Sequence, residues 1–272
     1  MKDLLLRALT GLLYVVILIL ALVLEAPYLL LVVFFVFGII SVNELNKLIG
    51  LKSLLSYVIF FTLYTIFGCM QTILGENFRL KEATQIFMVL VIFVNLFLIR
   101  DLFSKKTIPL FSSKRFLIIG PYLTGGLIFA LLVATVFTPT ILLGCLILVW
   151  VNDSFAYIIG KNFGKQKLFE KISPKKTVEG FLGGLFFACI GSYVIALYSK
   201  TLPFTNWLIL SIIITVFGTL GDLIESKFKR QANVKDSGTI MPGHGGLLDR
   251  LDSIIFASPF IYLFLSILQY VS

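Results

Sequence analysis

Leu12-Leu13-Tyr14-Val15-Val16-Ile17-Leu18-Ile19-Leu20-Ala21-Leu22-Val23-Leu24 is followed, after Glu25-Ala26-Pro27-Tyr28, by Leu29-Leu30-Leu31-Val32-Val33-Phe34-Phe35-Val36-Phe37-Gly38-Ile39-Ile40. Crossing a hydrocarbon core of ~30 Å takes about 20 such residues as a helix. The two tracts do not alternate with period two, which disfavours the wall of a transmembrane β-barrel. A helix is then the element that satisfies every backbone group within its own segment in lipid. The whole chain follows the same composition, with 58% hydrophobic residues, 14% charged residues and a mean hydropathy of +1.02. A soluble domain carries roughly 25% charged residues, so about half of the polar coat it would need is missing. These values exclude a water-soluble globular chain and predict an all-α, polytopic integral membrane helical bundle.

Apolar tracts between charged or Gly/Pro/Asn punctuation predict nine transmembrane helices, near 8–24, 28–43, 54–74, 84–99, 116–134, 139–158, 180–199, 206–224 and 251–271. The first follows Lys2 and Arg7 as a secretory signal would, but its apolar run is long and Glu25-Ala26-Pro27 is a poor cleavage site, so a retained helix is expected. With these spans, 20 of the 23 basic residues fall in loops on the N-terminal side of the membrane, leaving Arg79, Lys81 and Lys200 on the other. That split predicts a cytoplasmic N-terminus and a basic cytoplasmic surface that attracts anionic phospholipids. The net charge of +9 needs no nucleic acid to explain it, and no nucleic-acid-binding module is evident. Cys69, Cys145 and Cys189 lie far apart in apolar tracts and read as packing residues.

The chain is lopsided. Residues 1–115 read as N-terminal membrane helices with plain loops. Residues 116–272 read as a catalytic membrane region with long cytoplasmic loops at 160–178 and 226–250. Acids cluster beside those loops: Asp153 ends the sixth span, Asp222 and Glu225 end the eighth, and Asp249 and Asp252 open the ninth. A carboxylate in a bilayer helix costs about 2.5–3.5 kcal/mol even on lenient scales. Span direction puts all five at one depth, near the cytoplasmic interface. Asp222, Glu225, Ser226 and Lys229 share one helical face, and Asp249 and Asp252 form an i, i+3 pair on another. Hard carboxylate oxygens in a lysine-rich setting suit Mg²⁺ shared with substrate phosphates. The plainer alternative is interfacial salt bridging with Lys229, Arg230, Lys235 and Arg250.

The loops add anion-binding features. In Pro242-Gly243-His244-Gly245-Gly246, the glycines lead into a helix start and can direct amides at a phosphate. His244, the single histidine, is assigned to phosphate contact or turn stabilisation. In Ser173-Pro174-Lys175-Lys176-Thr177-Val178-Glu179-Gly180, Pro blocks helix continuation, and two lysines precede a helix introduced by Thr177 and Glu179. Lysines at a helix start act as point-charge phosphate ligands. A headgroup-facing basic loop is the alternative there.

The stretch Ser226-Lys227-Phe228-Lys229-Arg230, then Lys235-Asp236-Ser237-Gly238, Pro242-Gly243-His244-Gly245-Gly246 and Asp249-Arg250-Leu251-Asp252 closely resembles the signature of the bacterial phosphatidate cytidylyltransferases, or CDP-diacylglycerol synthases. Asp153 to Tyr157 with Gly160, the Ser173 to Thr177 box with Glu179-Gly180, and Gly221-Asp222 are similar to that family too. Met241 departs from the pattern, apolar for apolar. Before residue 115 only Arg7 and Glu44 add to the match.

The resemblance implies transfer of CMP from CTP to phosphatidate, giving CDP-diacylglycerol and pyrophosphate for phospholipid synthesis. It implies Mg²⁺ with room for a second cation, a homodimer, and a multi-pass protein of the bacterial inner membrane with its active site at the cytoplasmic face. Asp222 and Asp249 are then expected to carry the metal, with Asp153, Glu225 and Asp252 around it or on the second cation. Lys229, Arg230, Lys235 and Arg250 join Asp222 and Asp249 in the catalytic set. Lys175, Lys176, Thr177, Ser226, Asp236, Gly243, His244, Gly245 and Gly246 form the binding set. No general base is required, because the lipid phosphate is already an anionic nucleophile. A CTP-dependent polyprenol or dolichol kinase is the nearest rival. An anion transporter is a more distant one, since the chain lacks the internal repeat such proteins tend to carry.

Overall fold

The computed structural model describes residues 11, 15–24, 26–74, 78–104, 115–240 and 245–271. Eight long helices are present among them: α1 Pro27–Leu48, α2 Leu55–Leu74, α3 Phe78–Leu102, α4 Arg115–Phe137, α5 Pro139–Phe163, α6 Val178–Ser199, α7 Phe204–Gln231 and α8 Leu248–Val271. All eight are long and apolar enough to cross a membrane, and they correspond to the second through ninth expected spans. Of the first expected span, residues 15–23 are helical, and much of the rest lies outside the described residues.

Helix α4 is the axis of the bundle. Every residue from Ile118 to Ala134 is buried, as expected of a helix that is apolar on all sides. Pro121 cannot donate to the helical ladder, and the turns at Ile118–Gly125 widen to the i→i+5 pattern, where Thr124 Oγ1 donates to Ile119 O at 2.7 Å. Helices α1 and α3 pack on α4 and also on α7 and α8, so both halves of the chain share one core. Helices α5 and α6 pair along their lengths, as do α7 and α8.

Several helices outrun the expected spans. α1 continues to Leu48, α5 to Phe163 and α7 to Gln231. Hydropathy locates the hydrocarbon layer, whereas backbone hydrogen bonding continues past it into charged sequence. α7, at 28 residues, reaches about 42 Å at 1.5 Å per residue. The expected 160–178 loop also contains a hairpin, β1 Lys167–Phe169 paired antiparallel with β2 Ser173–Thr177. Its lysine-rich sequence carries no strand alternation. Tertiary contacts hold it: Phe103 meets Phe169 edge-on at 5.2 Å, Ile172 is buried, and Arg230 Nε donates to Ile172 O at 3.3 Å. Thr177 ends β2 and caps α6, accepting from Gly180 N at 3.1 Å.

Candidate active site

The C-terminal half of α5, the hairpin, the start of α6, the end of α7 and the start of α8 enclose a cavity of about 800 Å³. Asp153 lines it from α5, Lys175, Lys176 and Thr177 from β2, Asp222 and Lys229 from α7, and Asp249, Arg250 and Asp252 from α8. Asp236 lines it from the α7–α8 connection. Residues drawn from five stretches of sequence therefore meet at one end of the bundle. Lys161 and Lys167 line the cavity as well and were not singled out by sequence; within a basic loop nothing distinguished them from their neighbours.

Close helix contact makes this convergence possible. A Cβ added at Gly221 would lie 2.7 Å from Asp252 O and 2.5 Å from Phe256 Cβ, so only glycine lets α7 and α8 approach here. That approach brings the Asp222 and Asp252 turns together.

Acids and lysines alternate within the site. Lys176 pairs with Asp222, whose other oxygen accepts from Ser226 Oγ at 3.2 Å. Lys229 Nζ lies 3.0 Å from Glu225 Oε2 and 2.6 Å from Asp249 Oδ1. Asp249 Oδ2 accepts from Ser237 N at 2.9 Å and Gly246 N at 2.8 Å, with Ser237 Oγ also at 2.9 Å. Asp153 Oδ1 accepts from Asn152 Nδ2 at 3.1 Å, and Asp252 Oδ1 from Ser253 N at 2.7 Å.

The stretch Ser226-Lys227-Phe228-Lys229-Arg230 divides its work by direction. Successive residues turn by about 100° around a helix. Ser226 supports Asp222, and Lys227 donates to the carbonyls of Asp101 and Ser104 at the end of α3. Phe228 is buried against Tyr122 of α4, with ring centroids 5.9 Å apart, and Lys229 joins the acids. Arg230 tethers the hairpin and also donates from Nη1 to Val234 O at 3.3 Å.

Some expected site residues fall elsewhere. Arg230 binds the hairpin and does not line the cavity, and Lys235 is exposed outside it. Glu225 and Ser226 are buried behind the lining residues. Gly243 and His244 lie outside the described residues. Gly245 has φ +87°, the left-handed conformation that favours glycine. The Gly246 amide, expected to face a phosphate, donates instead to Asp249.

Two positions matter more than the sequence suggested. Glu179 accepts from Lys165 N at 3.0 Å and Gln166 N at 3.1 Å, fastening the approach to β1 onto α6. Glu44 of α1 is buried against the α7–α8 connection. An acid on an apolar helix asks for a partner, and that argument applied to Glu44 as it did to the five C-terminal acids.

The donor set suits a hard divalent cation that keeps water and takes further ligands from phosphate. The carboxylates of Asp153, Asp222, Asp249 and Asp252 face one cavity, and buried Glu225 Oε1 has no hydrogen-bond donor among the described residues. No three of the described His, Cys, Asp or Glu residues group closely enough to enclose an ion by themselves. Lys176 and Lys229 stand on the acids instead.

Fold and site define a multi-pass membrane protein with an interior site of interleaved carboxylates and lysines. The sequence profile of the Cytidylyltransferase family matches residues 5–268, and the chain belongs to that family. It is 48% identical over 122 residues to the phosphatidate cytidylyltransferase of Bacillus subtilis (strain 168), which is 44% of this chain and 45% of the relative. The phosphatidate cytidylyltransferases of Staphylococcus aureus (strain COL) and Staphylococcus haemolyticus (strain JCSC1435) are each 49% identical over 121 residues, 44% of this chain and 46% of the relative. The matched stretch spans a little under half the length of these curated relatives.

Proposed function

We propose that the protein transfers CMP from CTP to phosphatidate, forming CDP-diacylglycerol and releasing pyrophosphate. The observation that carries this reading is the single cavity in which at least four carboxylates and several lysines converge at one end of the bundle. Its support from relatives is the matched stretch shared with proteins named phosphatidate cytidylyltransferase.

In this reading an oxygen of the lipid phosphate attacks the α-phosphorus of CTP, the bond from that phosphorus to the bridging oxygen breaks, and pyrophosphate leaves. Both reactants are anions, so positioning and charge neutralisation dominate the barrier. Lys161, Lys167, Lys175 and Lys176 on the hairpin side hold phosphate oxygens, and Arg250 supplies charge from α8. Asp222 and Asp249, with Asp252 and Asp153 lining the same cavity, would hold Mg²⁺, which would supply Lewis-acid neutralisation of the phosphate charge. Lys176 and Lys229 neutralise the acids until substrate arrives, which keeps the carboxylates from repelling one another. Glu225 and Asp252 would hold the second cation.

The basic loops support a cytoplasmic N-terminus and a cavity on that same side of a bacterial cell membrane, where CTP is found and anionic phospholipids attract lysine. A homodimer, which the family resemblance implies, completes this reading.

Purified protein in phosphatidate-containing liposomes, given CTP and Mg²⁺, is expected to release pyrophosphate and form CDP-diacylglycerol, and to stop when EDTA is added. Release of CDP with phosphorylation of a polyprenol would establish the kinase reading in its place. CTP-independent solute uptake would establish a transporter.

A further inference from the structure

We propose that Glu44 is a positioning residue: from α1 it caps the start of α8 and holds the turn that presents Asp249 to the cavity. The side chain is 1% exposed. Its Oε1 accepts from Leu247 N at 3.1 Å and its Oε2 from Leu248 N at 2.8 Å, and Ser237 Oγ stands 3.3 Å from Oε2. The first amides of a helix have no partner within it, so a carboxylate supplied from elsewhere satisfies them and meets the positive end of the helix dipole. Helix α8 takes this carboxylate from a residue some two hundred positions away, and its second residue is Asp249.

Ser237 links the two acids. Its hydroxyl lies 3.3 Å from Glu44 Oε2 and 2.9 Å from Asp249 Oδ2, and its amide donates to Asp249. Asp249 is thereby clamped through Oδ2, and Oδ1 is left toward Lys229. The connection is shaped around Glu44. A Cβ on Gly238 would lie 2.4 Å from Glu44 Oε1, and one on Gly246 would lie 2.6 Å from Oε2 and 2.1 Å from Ser237 Oγ. Glycine at 238 and 246 is therefore explained by close approach of a protein carboxylate.

The inference rests on the proposed transfer reaction only for its kinetic readout. The test uses the full chain in liposomes, with Glu44→Gln and Glu44→Asp. Glutamine keeps the size of the side chain but turns one accepting oxygen into a donor facing other donors. In Glu44→Gln, hydrogen exchange of the backbone amides at Ser237 and at Gly246, Leu247 and Leu248 is expected to speed up by about tenfold or more, the loss of one charge-assisted hydrogen bond expressed as an opening equilibrium, while α5 and α6 keep their protection. CTP turnover should fall at least as far with the KM for CTP changed less than about twofold, because Asp249 is mispositioned while the hairpin lysines are intact. Glu44→Asp should recover part of both losses, and it decides by the same readouts if Glu44→Gln fails to fold. Unchanged exchange at Ser237, Gly246, Leu247 and Leu248, or faster exchange with full turnover, overturns the proposal. If the wild-type protein has no transfer activity, the proposed function falls, and the exchange measurement still tests the role of Glu44.

Discussion

Lys229 reaches from the last turn of α7 to the first turn of α8, placing its Nζ 2.6 Å from Asp249 Oδ1 and 3.0 Å from Glu225 Oε2. One ammonium thus joins the two helices that carry most of the site's acids. Removing one partner from a buried ion pair costs about 3–5 kcal/mol, because the remaining charge is left without compensation. Lys229 is 11% exposed at its side chain, and its partners Glu225 and Asp249 are 0% and 9% exposed. Lys229→Met should therefore lower unfolding stability in detergent by that order. A loss under about 1 kcal/mol in a denaturation series would show that the acids do not depend on this lysine.

Asp222→Asn and Asp249→Asn preserve side-chain shape and remove charge. Pyrophosphate release by either variant should drop by about 10²–10³-fold, the usual cost of losing one preorganised electrostatic group, with expression maintained. Full activity in either one would falsify the assignment of that acid to the site.

Lys176 pairs with Asp222, the acid proposed to hold Mg²⁺, so in that proposal lysine and cation would compete for one carboxylate. Lys176→Met should therefore bind Mn²⁺ more tightly than wild type when no nucleotide is present, as read by electron paramagnetic resonance of the free ion, even though turnover falls for want of a phosphate ligand. Weaker Mn²⁺ binding in the variant would mean that the lysine does not occupy the cation's place.

Gly221 sets the spacing of α7 and α8, since any Cβ would meet Asp252 O at 2.7 Å. Gly221→Val should cost at least the ~1–3 kcal/mol of an overpacked interface and take most of the activity with it, by parting the Asp222 and Asp252 turns. Thermal unfolding and turnover are expected to fall together; wild-type values for both would mean that the helices adjust freely.

Glu179 fastens the hairpin through the amides of Lys165 and Gln166. Glu179→Ala should raise the KM for CTP several-fold by loosening the lysines of β2, with little effect on the melting temperature, because the clamp lies at the periphery of the fold. An unchanged KM would detach the hairpin from nucleotide binding.

Much of the site was legible in sequence because its cause is local. Carboxylates in apolar helices cost energy wherever they occur, so Asp153, Asp222, Glu225, Asp249 and Asp252 identified themselves, and span direction placed them at one level. The hairpin was not legible: Ser173 to Thr177 has no strand pattern, and its pairing depends on Phe103, Arg230 and a buried Ile172 from elsewhere in the fold. Arg230 looked like its neighbour Lys229, yet one position along a helix rotates a side chain by about 100° and carried it to the hairpin instead of the acids.

By itself the sequence determined that this is a membrane-spanning helical bundle, because transfer of apolar residues and satisfaction of backbone groups depend on composition and run length alone. It also singled out the carboxylates of Asp153, Asp222, Asp249 and Asp252, which line one cavity. Only the tertiary structure decided which cation meets which acid, and that a carboxylate from α1 builds the turn carrying Asp249. Those pairings depend on ångström-scale approach between helices distant in the chain, and no period or spacing along the sequence encodes that distance.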